Sequence, residues 1–252
     1  MYEARVRAVR QLTPHLRRIT LQDEGLTSFR DDGPDQRFKL LLPRPGQERP
    51  LVPDSGPGWY VSWKAMAAHE RPVMRTYTVA EARPDVGELD VDMIVHPDGG
   101  GPGSTWAGRA EPGDRVAMYA AWAEYEAPDP SADQLIAGDL SALPAIAAIV
   151  RRLPESARGR VLVETRSEDR LPMPTPDGVA LDWVEARADA PGAELRRAVT
   201  AATASRTPGY AWVAADRDTV GRIRRHLVHG RGMPSDRVMF MGYWRTGARA
   251  LG

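Results

Sequence analysis

A change of texture at Ala127-Pro128-Asp129-Pro130 constrains this sequence most, because the two sides of it cannot share one fold class. Upstream, short segments of alternating apolar residues stand between Gly and Pro turns. Residues 4–12 and Leu16–Gln22 flank Thr13-Pro14, and Arg37–Leu42 reads RFKLLL. Residues 88–96, ELDVDMIVH, are the clearest: Leu89, Val91, Met93 and Val95 share one face, Asp90, Asp92, Ile94 and His96 the other. Residues 116–119 follow a Pro112-Gly113-Asp114 turn. This spacing predicts a small antiparallel β-barrel.

Downstream, strands and helices alternate. Strand-like residues 134–138 lead into helix-like 143–153, then strand 160–165, an Ala-rich helix over Ala193–Ala202 and strand 210–215. Asp216 or Asp218 can cap a helix striped by Val220, Ile223 and Leu227, which Gly230 or Gly232 can end. Residues 238–242 read as the last strand. The alternation predicts a parallel sheet with ligands at the carboxyl ends of its strands. The expected organisation is therefore a barrel domain over 1–129 and an α/β domain over 130–252. Between the strands, residues 43–71 are rich in Pro and Gly yet carry Trp59, Tyr60 and Trp63, which reads first as a loop folded onto the barrel by its aromatics.

Composition narrows the chemistry. The chain has no cysteine, which excludes disulfides, thiolate metal sites, iron–sulfur clusters and a Cys nucleophile. The 34 basic and 34 acidic residues cancel, against the basic excess of a dedicated nucleic-acid binder. The charges are uneven: residues 1–129 hold 16 basic and 20 acidic, residues 130–252 hold 18 and 14. The C-terminal half is thus better suited to an anionic ligand and leans slightly to NADPH over NADH. Only Lys39 and Lys64 are lysines, so a single Arg is weak evidence for a site. His15, His69, His96, His226 and His229 form no ligand motif, and the last two read as solvated; no metal is expected. No 18-residue apolar run or signal-peptide core is present, so the expectation is a cytoplasmic protein with no membrane partner. Oligomeric state is not legible.

Two motifs carry chemistry. In Arg75-Thr76-Tyr77-Thr78 an extended strand projects Arg75 and Tyr77 to one side and Thr78 to the other. Arg75 can clamp a phosphate, Tyr77 can lie against a flat ring system and Thr78 can hydrogen-bond a ring edge. A surface Arg beside a half-buried strand Tyr would read the same way in isolation. The loop from His96 through Gly101, Gly103, Ser104 and Thr105 to Trp106 follows the best strand. Its glycines admit an anion to the backbone, and a helix starting near Ser104 would aim free N–H groups at a diphosphate. Alone, that loop could equally be a flexible hairpin.

With these motifs in order, the chain resembles the siderophore-interacting protein family, the flavin-dependent ferric-siderophore reductases built like ferredoxin–NADP reductase. The likeness runs through LTPHLRRITL, RFKLLLP, RPVMRTYTV, GELDVDMIVHPDGGGPGSTWA and EPGDRV, then LIAGDLSALPAIAAI and YAWVAADRDTVGRIRRHLVHGRGMPSDRVMFMGYWRTG. It implies an FAD-binding barrel followed by an NAD(P)H-binding-like domain. It implies that Arg75, Tyr77 and Thr78 hold FAD (or FMN) and that the His96–Trp106 loop holds its phosphate or adenylyl end. Gly138, Asp139 and Ser141 would shape the nicotinamide pocket, and the stretch with Trp244 and Arg245 would close over the isoalloxazine. Lys39 and Arg245 would attract a negatively charged ferric siderophore. The implied activity passes electrons from NAD(P)H through the flavin to that chelate, with no obligatory protein acid or base.

Three positions depart from the family pattern. Ala80 and Glu81 follow Tyr77-Thr78-Val79 where another Arg is common. MYAAWAEYEAPDP, with Glu124 and Glu126, replaces a glycine-rich and often basic turn. Leu140-Ser141 stand where Glu-Thr is usual. They leave room for a second reading, a diverged member holding flavin or a small molecule in the barrel cleft for a biosynthetic step without ferric reduction. The rings of Trp59, Trp63 and Trp122 motivate it.

Overall fold

A computed structural model describes residues 1–53, 56, 58–96, 100–120, 122–127, 129 and 132–245. Met1–Ala123 packs as one compact unit and Glu124–Ala248 as another. Tyr125 helps draw the switch there: its hydroxyl bonds the Gln134 side chain and its ring stands edge-on to Tyr210 at 5.6 Å.

The N-terminal unit is a closed antiparallel barrel. Its strands are β1 (Tyr2–Thr13), β2 (Leu16–Gln22), β3 (Arg37–Leu42), β4 (Val73–Arg83), β5 (Glu88–Ile94) and β6 (Arg115–Ala120), in the order β1-β2-β5-β4-β3-β6 with β6 returning to β1. Closure removes the unpaired edges a sheet would otherwise expose. Alternation fills the inside: Phe38, Leu40, Leu89, Val91 and Met93 are all fully buried. The other face of β5 carries Asp90 and Asp92, which are also buried but paired. Arg18 takes Asp92 in a fork at 2.7 and 2.8 Å, and Arg83 takes Asp90 with two bonds of 2.9 Å.

The aromatic segment is more ordered than a loop. It forms a short helix, α1 (Trp59–Ala65), that packs on the outer barrel wall. Trp59 stacks on Tyr119 at 3.9 Å, and the Trp63 indole N–H donates to the Pro72 carbonyl at 3.0 Å. These side chains glue the segment down, as their apolar area predicts. A second helix, α2 (Pro102–Arg109), buries Gly103, Trp106 and Ala107, the i, i+3, i+4 stripe of a helix lying on a core.

The C-terminal unit is a parallel sheet of β7 (Asp133–Asp139), β8 (Arg158–Thr165), β9 (Val179–Glu185), β10 (Tyr210–Asp216) and β11 (Val238–Trp244), in the order β11-β10-β7-β8-β9. Helices α3 (Leu143–Val150), α4 (Ala193–Ala202) and α5 (Arg217–Arg225) connect them. Right-handed crossovers put α4 and α5 on one face and α3 on the other, because β7 to β8 travels opposite to the two later connections. Leu195, Val199, Val220 and Ile223 therefore pack with Ala211 and Val213 on one side of β10. Trp212, between them in sequence, is fully buried on the other. Edge strand β9 is absent from the sequence-based reading, since only Val179 on it is buried. Among the described residues, no helix is long and apolar enough to cross a membrane.

Candidate functional site: a phosphate cradle and a capped strand edge

In the barrel, β4 pairs with β3 so that Tyr77 faces Phe38, Arg75 faces Leu40, Thr76 faces Lys39 and Thr78 faces Arg37. Arg75 and Tyr77 thus share one face of β4, and Thr76 and Thr78 the other. The N-terminal turn of α2 sits against the Arg75/Tyr77 face. A Cβ added at Gly103 would run into the Tyr77 hydroxyl, 3.3 Å from its Cζ and 3.6 Å from the Arg75 Cγ. Only glycine lets the helix approach so closely. Burial pushes the Tyr77 phenol well above its ordinary range, partly opposed by the Arg75 charge, so it is a neutral hydroxyl near pH 7.

Arg75 is only half committed. Its Nη1 donates to the Met74 carbonyl at 2.8 Å, while Nη2 is buried with no partner among the described residues. An orphaned buried guanidinium nitrogen is costly unless something binds it. Beside it, α2 starts at Gly101 with no side-chain cap and with Pro102 at its first position. Its opening N–H groups form a ready anion site. An unpartnered Arg nitrogen, a glycine slot and an uncapped helix start fit the phosphate of a nucleotide cofactor.

The rest of the loop frames this corner. The His96 N–H donates to the Ser104 hydroxyl at 2.8 Å, and the Thr105 N–H to the Gly101 carbonyl at 3.1 Å. Pro97, Asp98 and Gly99 lie outside the described residues. Trp106 belongs to the barrel core at 4% exposure, where it seats α2. Thr78 is buried in the β3–β4 ladder. Lys39, half-buried, donates from Nζ to Thr76 Oγ1 at 2.7 Å on the face opposite Arg75 and Tyr77, and burial with the nearby Arg37 charge lowers its pKa. Ala80 is buried, and Glu81 pairs with Arg83 at 3.6 Å, so the extra acid is balanced locally.

In the C-terminal unit, the carboxyl ends of β7, β10 and β11 converge on Asp139. Its Oδ1 accepts from the Ser141 N–H at 2.9 Å and from the Ser141 hydroxyl. Its Oδ2 accepts from the Asp216 N–H at 3.1 Å and from the Trp244 indole N–H at 2.7 Å. Gly138 makes the close packing possible, since a Cβ there would lie 2.6 Å from the Ala214 carbonyl oxygen. Trp244 remains 39% exposed, and Arg245 follows it on the surface. Two further carboxylates do what Asp139 does. Glu164 accepts from the Gly192, Glu194 and Leu195 N–H groups at 2.8, 3.2 and 3.2 Å, capping α4. Asp216 accepts from Asp218 and Thr219 at 3.1 and 3.2 Å, capping α5 as its sequence position predicts. The sequence reading missed Glu164, because its capping partners lie about thirty residues downstream.

Burial pushes the Asp139 carboxyl above its ordinary range, against the pull of its bonds to Ser141, Trp244 and Asp216. A carboxyl whose pKa is higher folded than unfolded favours the fold while protonated. That contribution is full below the ordinary carboxylate range and is lost as pH rises through the raised value. The stability of the protein relative to Asp139→Asn is therefore expected to fall as pH rises through that window, read as urea midpoints at successive pH values. A difference independent of pH would show that Asp139 titrates normally.

Comparison with known proteins agrees with both halves. Residues 5–123 match the siderophore-interacting FAD-binding domain, and residues 131–247 match the siderophore-interacting protein model. Ferric vibriobactin reductase ViuB of Vibrio cholerae is 28% identical over 239 residues, covering 94% of this chain and 86% of that protein. The crystal structure of the siderophore-interacting protein SipS from Aeromonas hydrophila superposes with a TM-score of 0.81 at 30% identity, covering 98% of this chain and 92% of that one. A ferredoxin NADP+ reductase from Neisseria gonorrhoeae, 13% identical, shares the fold with a TM-score of 0.65 over 96% and 98% of the two chains. With its strand order, its barrel corner and family models matching nearly its whole length, the chain belongs to the siderophore-interacting protein family.

Proposed function

We propose that this protein is a flavin-dependent oxidoreductase that passes electrons from NAD(P)H through FAD to a ferric siderophore. The observation that carries the reading is the buried, unpartnered Nη2 of Arg75 beside the uncapped start of α2. FAD over FMN is supported by the matched domain, whose description names FAD. When bound, it supplies acceptance of two electrons as a hydride equivalent and their release one at a time to ferric iron, so one NAD(P)H serves two ferric ions.

The chain's own residues hold and orient. Arg75 and the first N–H groups of α2 take phosphate. His96, Gly101, Gly103, Ser104 and Thr105 shape the loop around it, and Trp106 fixes the helix from below. Tyr77 offers a neutral ring for stacking and Thr78 a hydroxyl for a ring edge. Gly138, Asp139, Ser141 and Trp244 form the seat assigned to the nicotinamide. Lys39 and Arg245 supply positive charge for an anionic chelate. No side chain has to move a proton. On this reading the reaction draws on the cytoplasmic pyridine-nucleotide pool, and the protein works in the cytoplasm.

The reading of a diverged member without ferric reduction loses part of its motive, because Trp59 and Trp63 are committed to the barrel wall. The acid-bearing turn is anchored through Tyr125 to Gln134 and Tyr210 of the C-terminal sheet.

The deciding experiment uses the purified protein. It should show flavin absorbance that bleaches anaerobically with NADH or NADPH and recovers when a ferric catecholate or hydroxamate is added. A colourless protein that takes up no added FAD would sink the proposal. A yellow protein whose bleached band ignores ferric chelates would favour the diverged reading.

A further inference from the structure

On the C-terminal unit, α4 and α5 run side by side and leave a groove of about 390 Å³ between them. Arg196, Arg222, Arg225 and His226 form its walls, with Val199 and Ile223 as its floor. Among the described residues no carboxylate lines it. That sets these arginines apart from others on the same unit. Arg160 pairs with Asp182, Arg170 with Glu185, Arg187 with Asp189, Arg197 with Glu194 and Arg206 with Asp133. Among the described residues Arg196 reaches only the Thr219 hydroxyl, at 3.5 Å. Arg222 and Arg225 have no ion pair among the described residues.

His226 closes one end. Its Nε2 lies 2.9 Å from Thr203 Oγ1, whose own proton goes to the Val199 carbonyl at 2.9 Å. The ring nitrogen is therefore the donor, and the imidazole is held in place. His229 is exposed, whereas His226 is half-buried with its ring fixed in the wall. Arg231 adds a further positive charge that acts on His226. Like charges gathered without a counter-charge repel, and an anion relieves them all at once.

We propose that this groove is a binding site for an organic phosphomonoester. Forked guanidiniums on facing helices suit the phosphate oxygens. The apolar floor suits the carbon skeleton attached to them, and the volume falls in the range of small-molecule sites. The groove lies on the outer face of α4 and α5 and uses none of the residues assigned to flavin or nicotinamide. The proposal stands or falls apart from the redox reading.

The test is calorimetric titration of the FAD-saturated full-length protein with AMP at low salt, repeated with the double variant Arg222→Ala/Arg225→Ala. One saturable site is expected, weakened about hundredfold in the variant, or about tenfold for each charged hydrogen-bond partner removed. Both arginines are exposed, so the fold should survive, and an unchanged circular dichroism melt verifies it. Inorganic phosphate is expected to displace AMP, because the phosphate is what the arginines grip. Three results overturn the proposal: no saturable binding of AMP, binding equally strong in the variant, or binding that inorganic phosphate does not compete away.

Discussion

Replacing Arg75 with alanine is expected to weaken FAD binding about hundredfold while leaving the fold as stable as before. The two halves of that expectation have one cause. Arg75 Nη2 is buried and makes no bond among the described residues, so to the fold it is a liability. To a phosphate it offers a charge-assisted hydrogen bond, of a kind contributing about 1.5–3 kcal/mol. The adjacent Nη1, tied to the Met74 carbonyl, keeps the fork in place. Titrating the flavin-free protein with FAD and following flavin fluorescence gives the dissociation constant, and a thermal melt gives the stability. Arg75→Lys should fall between, since it restores charge but not the planar fork. Unchanged affinity in Arg75→Ala would mean that the cradle lies elsewhere.

Replacing Trp212 with alanine is expected to destabilise the C-terminal unit by about 3–5 kcal/mol, the usual range for deleting a large buried aromatic side chain. Trp212 is fully buried on central strand β10, paired with Ile136 of β7 and Met239 of β11. Its neighbours along the strand, Ala211 and Val213, point to the opposite face and cannot fill the space it leaves. The urea midpoint of the variant reads the loss directly. A change below about 1 kcal/mol would show that the second face of the sheet repacks around the hole.

The strands were legible wherever one face is buried. Leu16–Gln22 and Arg37–Leu42 match the observed β2 and β3, because each is a short run whose apolar residues are buried. Strand β9 was not, since VALDWVE sits at the sheet edge with six of its seven residues half-buried or exposed in no clear alternation. Asp216 could be identified as a cap because its partners lie two and three residues on. Glu164 could not, since its partners at Gly192, Glu194 and Leu195 come from another crossover. For the cradle, residue types marked Arg75 and Tyr77, and their shared face followed from strand geometry. That Gly103 touches both required the third dimension, as did the arginine groove, which joins Arg196 to Arg222 and Arg225 from separate helices.

The three carboxylates at the helix starts have a consequence for how this sheet can meet a phosphate. In sheets of this kind the first turn of a helix ordinarily receives a ligand's phosphate. Here Glu164 and Asp216 already satisfy those N–H groups at α4 and α5, and Asp139 does so just ahead of α3. A phosphate arriving at this rim meets negative charge where it would elsewhere meet bare amide protons. The slight basic excess of the C-terminal half is therefore not focused on these three helix starts.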